Sequence, residues 1–367
     1  MDKKIRNIGA AILMVLWAGL AAISWFAPVK DVSVSERRPL AQFPDVNKDT
    51  LLSGRFTADF EKYTLDQFPA RDTFRTAKSL FHTYVLGQKD NNGIYIADGF
   101  AAKQEYPLNL ESVDYAAQRF NYVYEKYLKE AGSKVYAAVI PDKGYYLAQE
   151  SGHLSMDYSQ LFSRLESQMP WAQHIDLTDS LQKDSYYFTD THWRQEKLLD
   201  AANVLCQELG MPAPKAEDFT KTEISRPFYG VYYGQAALPM EPEKMYILES
   251  QRLKDCRVFD FETESYRAVY DMEKLGSKDL YDVYLSGAKS LLRIENPNAT
   301  TQRELILFRD SFGSTIAPLL MSEYKTVTLV DIRYLSSAQL DRYLEFHGQD
   351  VLFLYSTLVL NNANTIK

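Results

Sequence analysis

Cysteine and histidine are scarce in this chain: 367 residues contain two cysteines, Cys206 and Cys256, and five histidines, at positions 82, 153, 174, 192 and 347. Two cysteines do not define a disulfide framework. They fit either a single bridge in an oxidising compartment or, for Cys206 within an apolar helical pattern, a buried thiol. Neither has the spacing of a zinc or redox motif, and no two histidines stand four residues apart, so no metal site and no cofactor is expected. A basic surplus is also lacking. With 41 basic and 49 acidic residues and a formal charge of −8, the chain has no excess of cations to neutralise phosphates, which excludes nucleic acid as a partner. Apolar residues are not short: at 46% of the sequence they suffice for one large domain or two smaller ones.

The longest apolar run is at the N-terminus, "MDKKIRNIGAAILMVLWAGLAAISWFAPVKD". From Ile8 to Pro28 it contains no charge, and roughly twenty residues at ~1.5 Å each span ~30 Å, the thickness of a bilayer core. A cleaved signal peptide has a shorter apolar core followed by its small-residue site, whereas "AGLAA" lies inside this run, so an uncleaved anchor is the better reading. Lys3, Lys4 and Arg6 precede the run and hold that end in the cytoplasm. The expected organisation is a cytoplasmic tail at 1–7, a single-pass transmembrane signal anchor at 8–28, a polar, proline-punctuated stem at 29–50 and an extracytoplasmic domain at 51–367, which places the protein in the cell membrane.

Residues 51–86 read as a helical lead-in, and "NNGIYIADGFAAKQEY" reads as a hairpin turning at Asp98-Gly99. Strands then alternate with helices. A helix over 110–131 leads to the strand "KVYAAVI" (134–140), which ends in "PDK"; "HIDLT" (174–178) is followed by a helix over 194–209 closed by Gly210. Later come "ELILFRDSF" (304–312), a helix through Tyr324, "TVTLVDI" (326–332), a helix near 336–346 and "DVLFLYS" (350–356). Short apolar strands separated by helices predict an α/β, doubly wound, mainly parallel sheet with flanking helices. The stretch from about 213 to 300 breaks the alternation and is expected to form an inserted lobe.

In such sheets the ligand crevice lies at the carboxyl ends of the strands. The strand "LILF" runs into "RDSFGSTIAPLL", so Ser311 falls where a strand ends and a helix begins, beside free backbone N–H groups able to receive an oxyanion. Alone, Asp310 and Ser311 read equally as helix caps. "YYFTDTHW" (186–193) supplies what a serine needs: in an extended segment residues i and i+2 point the same way, so Asp190 can orient His192 while His192 faces a serine from another strand end.

"YYFTDTHW" followed by "LFRDSFGS" resembles the DHHW family and the SGNH hydrolase-like domain related to alginate O-acetyltransferase proteins. "SERRPLAQFP", "FEKYTLDQFPARD", "VIPDK" and "VDIRYL" fit the same resemblance. It implies an SGNH-like fold in which Ser311 is the nucleophile, His192 the general base and acid, and Asp190 its orienting partner. Two positions depart from the pattern. Arg309 stands where a small residue, usually glycine, is common, and "LSGAKS" (285–290) replaces a Gly-Gly-Asn-like turn, with Ala288 offering no side-chain donor. The oxyanion hole is thereby reduced to the N–H of Ser311 and that of Gly287.

Among lesser candidates, Trp193 is expected to pack under the site, Tyr229 and Tyr232 in "FYGVYYGQ" either line a glycan groove or belong to a structural aromatic patch, and Arg333 either contacts substrate or forms an ion pair. The resemblance implies an O-acetyltransferase acting on an exported polysaccharide acceptor, with a membrane-bound O-acyltransferase partner supplying acetyl. A polysaccharide deacetylase or esterase using the same triad, and an inactive glycan-binding scaffold, are the alternatives.

Overall fold

A computed structural model describes residues 3–321 and 323–367, so the first two residues of the expected tail lie outside it. The chain divides into two compact units: residues 1–91 with 233–239, and residues 92–232 with 240–367.

The first unit begins with the helix Lys3–Phe26. Its span Asn7–Phe26 has a mean hydropathy of 2.0 and is wholly unburied, which makes it long and apolar enough to cross a membrane or act as a signal anchor. The expected stem is tied down. Arg38 forms a bidentate pair with Asp66 at 2.6 and 2.8 Å, and Arg71 and Arg75 reach Glu36 at 2.5 and 3.2 Å. The Arg38 guanidinium holds the Asp66 carboxyl down at about 2. The lead-in is helical as expected, at Arg55–Asp66 and Arg71–Leu80. "SERRPLAQFP" and "FEKYTLDQFPARD" thus share one ion-pair network.

The second unit is built on an eight-stranded sheet. Its strands, numbered here in chain order, are β1 (Lys134–Ile140), β2 (Gln173–Ile175), β3 (Arg257–Asp260), β4 (Ser265–Arg267), β5 (Leu291–Glu295), β6 (Glu304–Arg309), β7 (Thr326–Val330) and β8 (Asp350–Ser356). The order across the sheet is β4-β3-β5-β7-β6-β8-β1-β2. The five strands β7, β6, β8, β1 and β2 pair in parallel, and β5, β3 and β4 extend the sheet antiparallel.

Alternation along the central strands feeds two cores. Leu305, Leu307, Leu352 and Leu354 pack with Leu205, Ile316 and Leu320 on one face. Ile306, Phe308, Val351 and Phe353 pack with Val113, Phe120 and Leu161 on the other. Burial on both faces explains why β8, buried at every position, reads as an unbroken apolar run. The fold is therefore the α/β, mainly parallel architecture anticipated from the sequence. Of the stretch 213–300, strands β3, β4 and β5 join this sheet, while Thr220–Phe228 pairs with Glu243–Glu249 in a separate hairpin.

Several elements differ from expectation. The helix expected from 194 starts at Leu199, because Gln195 is buried and bridges Thr315 O and the N–H of Leu248 at 2.9 and 2.8 Å. Its end is as read, a Schellman closure in which the N–H of Met211 bonds Cys206 O at 2.8 Å and that of Gly210 bonds Gln207 O at 3.1 Å. The helix near 336–346 is a 3₁₀ stretch at Ser337–Arg342, and the helix after β6 ends at Leu320. Cys206 and Cys256 are both buried free thiols, and burial pushes them up to about 12 and about 11. The hairpin turns at Asp98 and Gly99 between Ile94–Ala97 and Phe100–Lys103.

Candidate active site

Strand β6 delivers Ser311. The Asp310 carboxylate accepts the N–H of Phe312 at 3.0 Å and the N–H of Ser356, at the end of β8, at 2.8 Å. Asp310 thus turns the chain after β6 and joins two strand ends, while the helix that follows has no side-chain cap at its N-cap Phe312 and the Ser311 hydroxyl is not used as one. The helix Gly313–Leu320 starts immediately. Ser311 is half-buried, and its own N–H has no acceptor among the described residues.

His192 meets it from the other segment: Nε2 lies 2.8 Å from Ser311 Oγ, and Nδ1 lies 2.6 Å from Asp190 Oδ1. The carboxylate fixes the tautomer, with Nδ1 donating to Asp190 and Nε2 left to accept from the serine. Asp190 is fully buried and His192 nearly so. Asp190 is no helix cap, since the next helix begins with Leu198 at its N-cap and no side-chain bond there.

The segment is not extended, as the sequence suggested. Tyr187 donates its N–H to His192 O at 3.1 Å, so residues 187–192 form a tight turn, and the N–H of His192 bonds Asp190 Oδ1 at 3.0 Å. A local turn around the aspartate carboxylate, rather than strand alternation, brings residues i and i+2 together.

A second layer holds this turn. The N–H of Val231 donates to Asp190 Oδ2 at 2.8 Å, and that of Gly230 to Thr189 Oγ1 at 2.9 Å. The approach is so close that a Cβ on Gly230 would lie 2.3 Å from Asp190 Cα. Buried Glu243 accepts the N–H groups of Phe188 and Thr189 at 2.6 and 2.7 Å and the Thr189 hydroxyl at 2.6 Å, and burial raises its carboxyl above the usual range.

Tyr281 stacks on the His192 ring, with centroids 3.9 Å apart and planes 12° from parallel. Its hydroxyl lies 2.9 Å from Thr315 Oγ1. Trp193 donates to Phe312 O at 3.0 Å and to Thr315 Oγ1 at 2.6 Å, and is fully buried. It ties the His192 segment to the helix after Ser311 and has no face for a sugar.

The remaining candidates separate. Gly287 directs its N–H to Tyr284 O at 3.2 Å and adopts φ +81, where an added Cβ would meet Asp282 Oδ1 at 2.2 Å; this N–H is engaged within its turn, which corrects the oxyanion role expected for it. Arg309 is 1% exposed, reaching Asp310 O and Lys289 O at 3.3 Å each and lying 3.9 Å from Asp331, so it faces no substrate. Burial lowers its pKa. Arg333 is the ion-pair alternative, bound to Asp331 at 2.9 and 2.6 Å. Tyr229 is exposed next to Gly230, whereas Tyr232 is buried with its hydroxyl 3.1 Å from Thr191 Oγ1.

No local pattern marks Tyr281, Glu243 or Gly230, each brought to the site from far along the chain.

Residues 153–330 match the DHHW protein family. That window contains Asp190, His192, Trp193 and Ser311, so the resemblance carried by these motifs stands. A solved DHHW family protein from Eubacterium siraeum is similar at TM-score 0.61 and 20% identity, over 76% of this chain and 95% of its own. Bacillus cereus PatB1, solved with a sulfonyl adduct, is similar at TM-score 0.58 and 17% identity, over 75% and 96%. A weaker likeness, at TM-score 0.43 and 14% identity over 73% and 92%, is to the O-acetyltransferase domain of Pseudomonas putida AlgJ. The first two show a common fold. No curated protein matches the chain.

Proposed function

We propose that this protein is a membrane-anchored serine acyltransferase that moves acetyl groups onto an exported polysaccharide through the triad Ser311, His192 and Asp190. The observation that carries this reading is the unbroken chain from Asp190 Oδ1 through His192 to Ser311 Oγ, at 2.6 and 2.8 Å. Such a chain supports a working nucleophile over an inactive scaffold.

In the first half-reaction Ser311 Oγ attacks the acetyl carbonyl as its proton passes to His192 Nε2. The Asp190 carboxylate holds the imidazolium, and the N–H of Ser311, which has no acceptor among the described residues, is left for the oxyanion. His192 returns the proton to the leaving group, and an acetyl-serine remains. A sugar hydroxyl then gives its proton to His192 Nε2 and attacks the acetyl carbon; the bond from that carbon to Ser311 Oγ breaks, and His192 returns the proton to Ser311 Oγ, leaving the sugar acetylated and the serine free. The transferred group is acetyl and the acceptor a polysaccharide because the motifs resemble those of alginate O-acetylation proteins. Phe188, which precedes Thr189, and Tyr229, which precedes Gly230, are exposed and are the aromatic side chains we assign to contact a sugar ring.

The positive residues before the apolar helix support an extracytoplasmic site. There free acetyl-CoA is absent, so a membrane-bound O-acyltransferase partner would bring acetyl across. The adduct carried by Bacillus cereus PatB1 suggests a direct probe. Detergent-solubilised full-length protein is treated with phenylmethylsulfonyl fluoride or p-nitrophenyl acetate and followed by intact mass. One adduct on the wild type, absent in Ser311→Ala, is the expected result; equal labelling of both proteins refutes the nucleophile. Faster loss of the acetyl-enzyme to glycan than to water then distinguishes transferase from esterase.

A further inference from the structure

A buried lysine lies behind the triad and has no part in the steps above. Lys143 follows β1, is 2% exposed, and points its ammonium at three backbone carbonyls: Ala101 O, Tyr187 O at 2.8 Å and Phe188 O at 3.5 Å. Two of these belong to the turn that carries Asp190 and His192, and the third to the hairpin strand Phe100–Lys103. The same stretch of backbone is held through its N–H groups by Glu243. Residues 187–189 are thus gripped by a buried cation on their carbonyls and a buried anion on their amides. Three carbonyl acceptors match the three donors of an ammonium and exceed the two of a neutral amine.

Burying a lysine without function is costly. A core that needed only volume would be served by methionine or leucine. The acidic groups acting on Lys143 are Glu243, Asp190 and the adjacent Asp142, and the Tyr232 ring centroid lies 5.1 Å from Nζ. Opposite charge attracts Lys143 towards the carboxylate that orients His192.

We propose that Lys143 is a positioning residue for the Asp190–His192 pair, its charged ammonium fixing the carbonyl side of the 187–189 backbone while Glu243 fixes the amide side. This rests on the triad reading given above. Burial lowers the Lys143 pKa to about 7, so its charge disappears within an accessible pH range. Positioning by that charge should therefore fade as pH rises.

The test is the rate of Ser311 sulfonylation by phenylmethylsulfonyl fluoride, measured by intact mass on full-length protein in detergent at pH 6, 7, 8 and 9. Wild type is compared with Lys143→Met, and with Lys143→Met/Glu243→Gln, in which neither buried charge is left alone. Circular dichroism reports folding. Groups common to both proteins cancel in the ratio of rates. The expected result is a wild-type advantage of ~10- to 100-fold at pH 6, the scale of a small misplacement of catalytic groups, shrinking steadily by pH 9. A folded variant that labels as fast as wild type overturns the inference, and so does an advantage constant across pH. If the single variant does not fold, the double variant decides by the same criteria. Failure of wild type to label at Ser311 would instead overturn the triad reading, so the two failures are distinguishable.

Discussion

Asp190→Asn probes the site at its most constrained atom. Both carboxylate oxygens accept N–H groups: Oδ1 takes those of His192 N and Nδ1, and Oδ2 takes that of Val231. An amide supplies one oxygen, and its NH₂ must face either Val231 or His192. Facing Val231 it leaves a buried donor unmatched, at about 1–3 kcal/mol. Facing His192 it favours the opposite tautomer, in which Nε2 carries the proton and no longer accepts from Ser311 at 2.8 Å. In either case the imidazolium formed during attack loses its counter-charge. A unit charge pair at this separation is worth about 4–6 kcal/mol at an effective dielectric of ~20, or on the order of 10³- to 10⁴-fold in rate. The assay is pre-steady-state acetylation by p-nitrophenyl acetate, with circular dichroism to show that the fold persists. A folded Asp190→Asn within tenfold of wild type would refute the reasoning, because no other carboxylate contacts His192 among the described residues.

Gly230→Ala should lower acylation by ~100-fold, since its Cβ would lie 2.3 Å from Asp190 Cα and the two backbones must part by about an ångström; a wild-type rate would show that the turn is loosely held. Tyr281→Phe should stay within a few-fold of wild type, because Thr315 keeps Trp193 as a partner at 2.6 Å, whereas Tyr281→Ala should lose both activity and about 3–5 kcal/mol of stability by chemical denaturation. Lys143 should leave a pH signature in stability. Its folded pKa of about 7 lies below the unfolded 10.5, so the unfolded chain holds more protons between these values, and wild type should gain stability relative to Lys143→Met as pH rises from 7 to 10. Equal pH dependence in the two melting series would contradict it. Deleting residues 1–28 should move the protein from the membrane fraction to the soluble fraction on cell fractionation, and retention in the membrane would assign anchoring elsewhere.

What the sequence made legible follows physical lines. Strands β6, β7 and β8 are buried on both faces, so their apolar runs declared a parallel sheet with helices on either side, and the crevice rule then singled out Ser311. Strands β3 and β4, with four and three residues, are too short for periodicity to mark and depend on β5 to exist. The Asp190–His192 contact was anticipated for the wrong reason. The residue types were right, but a turn held by Asp190 and by Val231, 41 residues away, creates the geometry. Gln195 shows the opposite error: its helical context was overruled because the side chain serves two other segments. Tyr281, Glu243 and Lys143 act through tertiary contacts to the 187–193 segment, which no local pattern encodes.

Arg309 illustrates how a departure in a motif can mislead. From the sequence, a large cation two residues before the nucleophile, where relatives favour glycine, threatens the oxyanion hole. In the structure its side chain runs beneath the start of the helix Gly313–Leu320, and the space it needs exists because residue 313 is glycine: a Cβ there would lie 2.6 Å from Arg309 Cβ. Its guanidinium donates to Asp310 O and Lys289 O and makes no hydrogen bond to Ser311 among the described residues. Arg309 and Gly313 therefore form a matched pair, and the proposal that Ser311 works does not require residue 309 to be small. Exchanging Arg309 for glycine alone should destabilise the fold by leaving a cavity and unpaired carbonyls, while the serine keeps its 2.8 Å contact with His192.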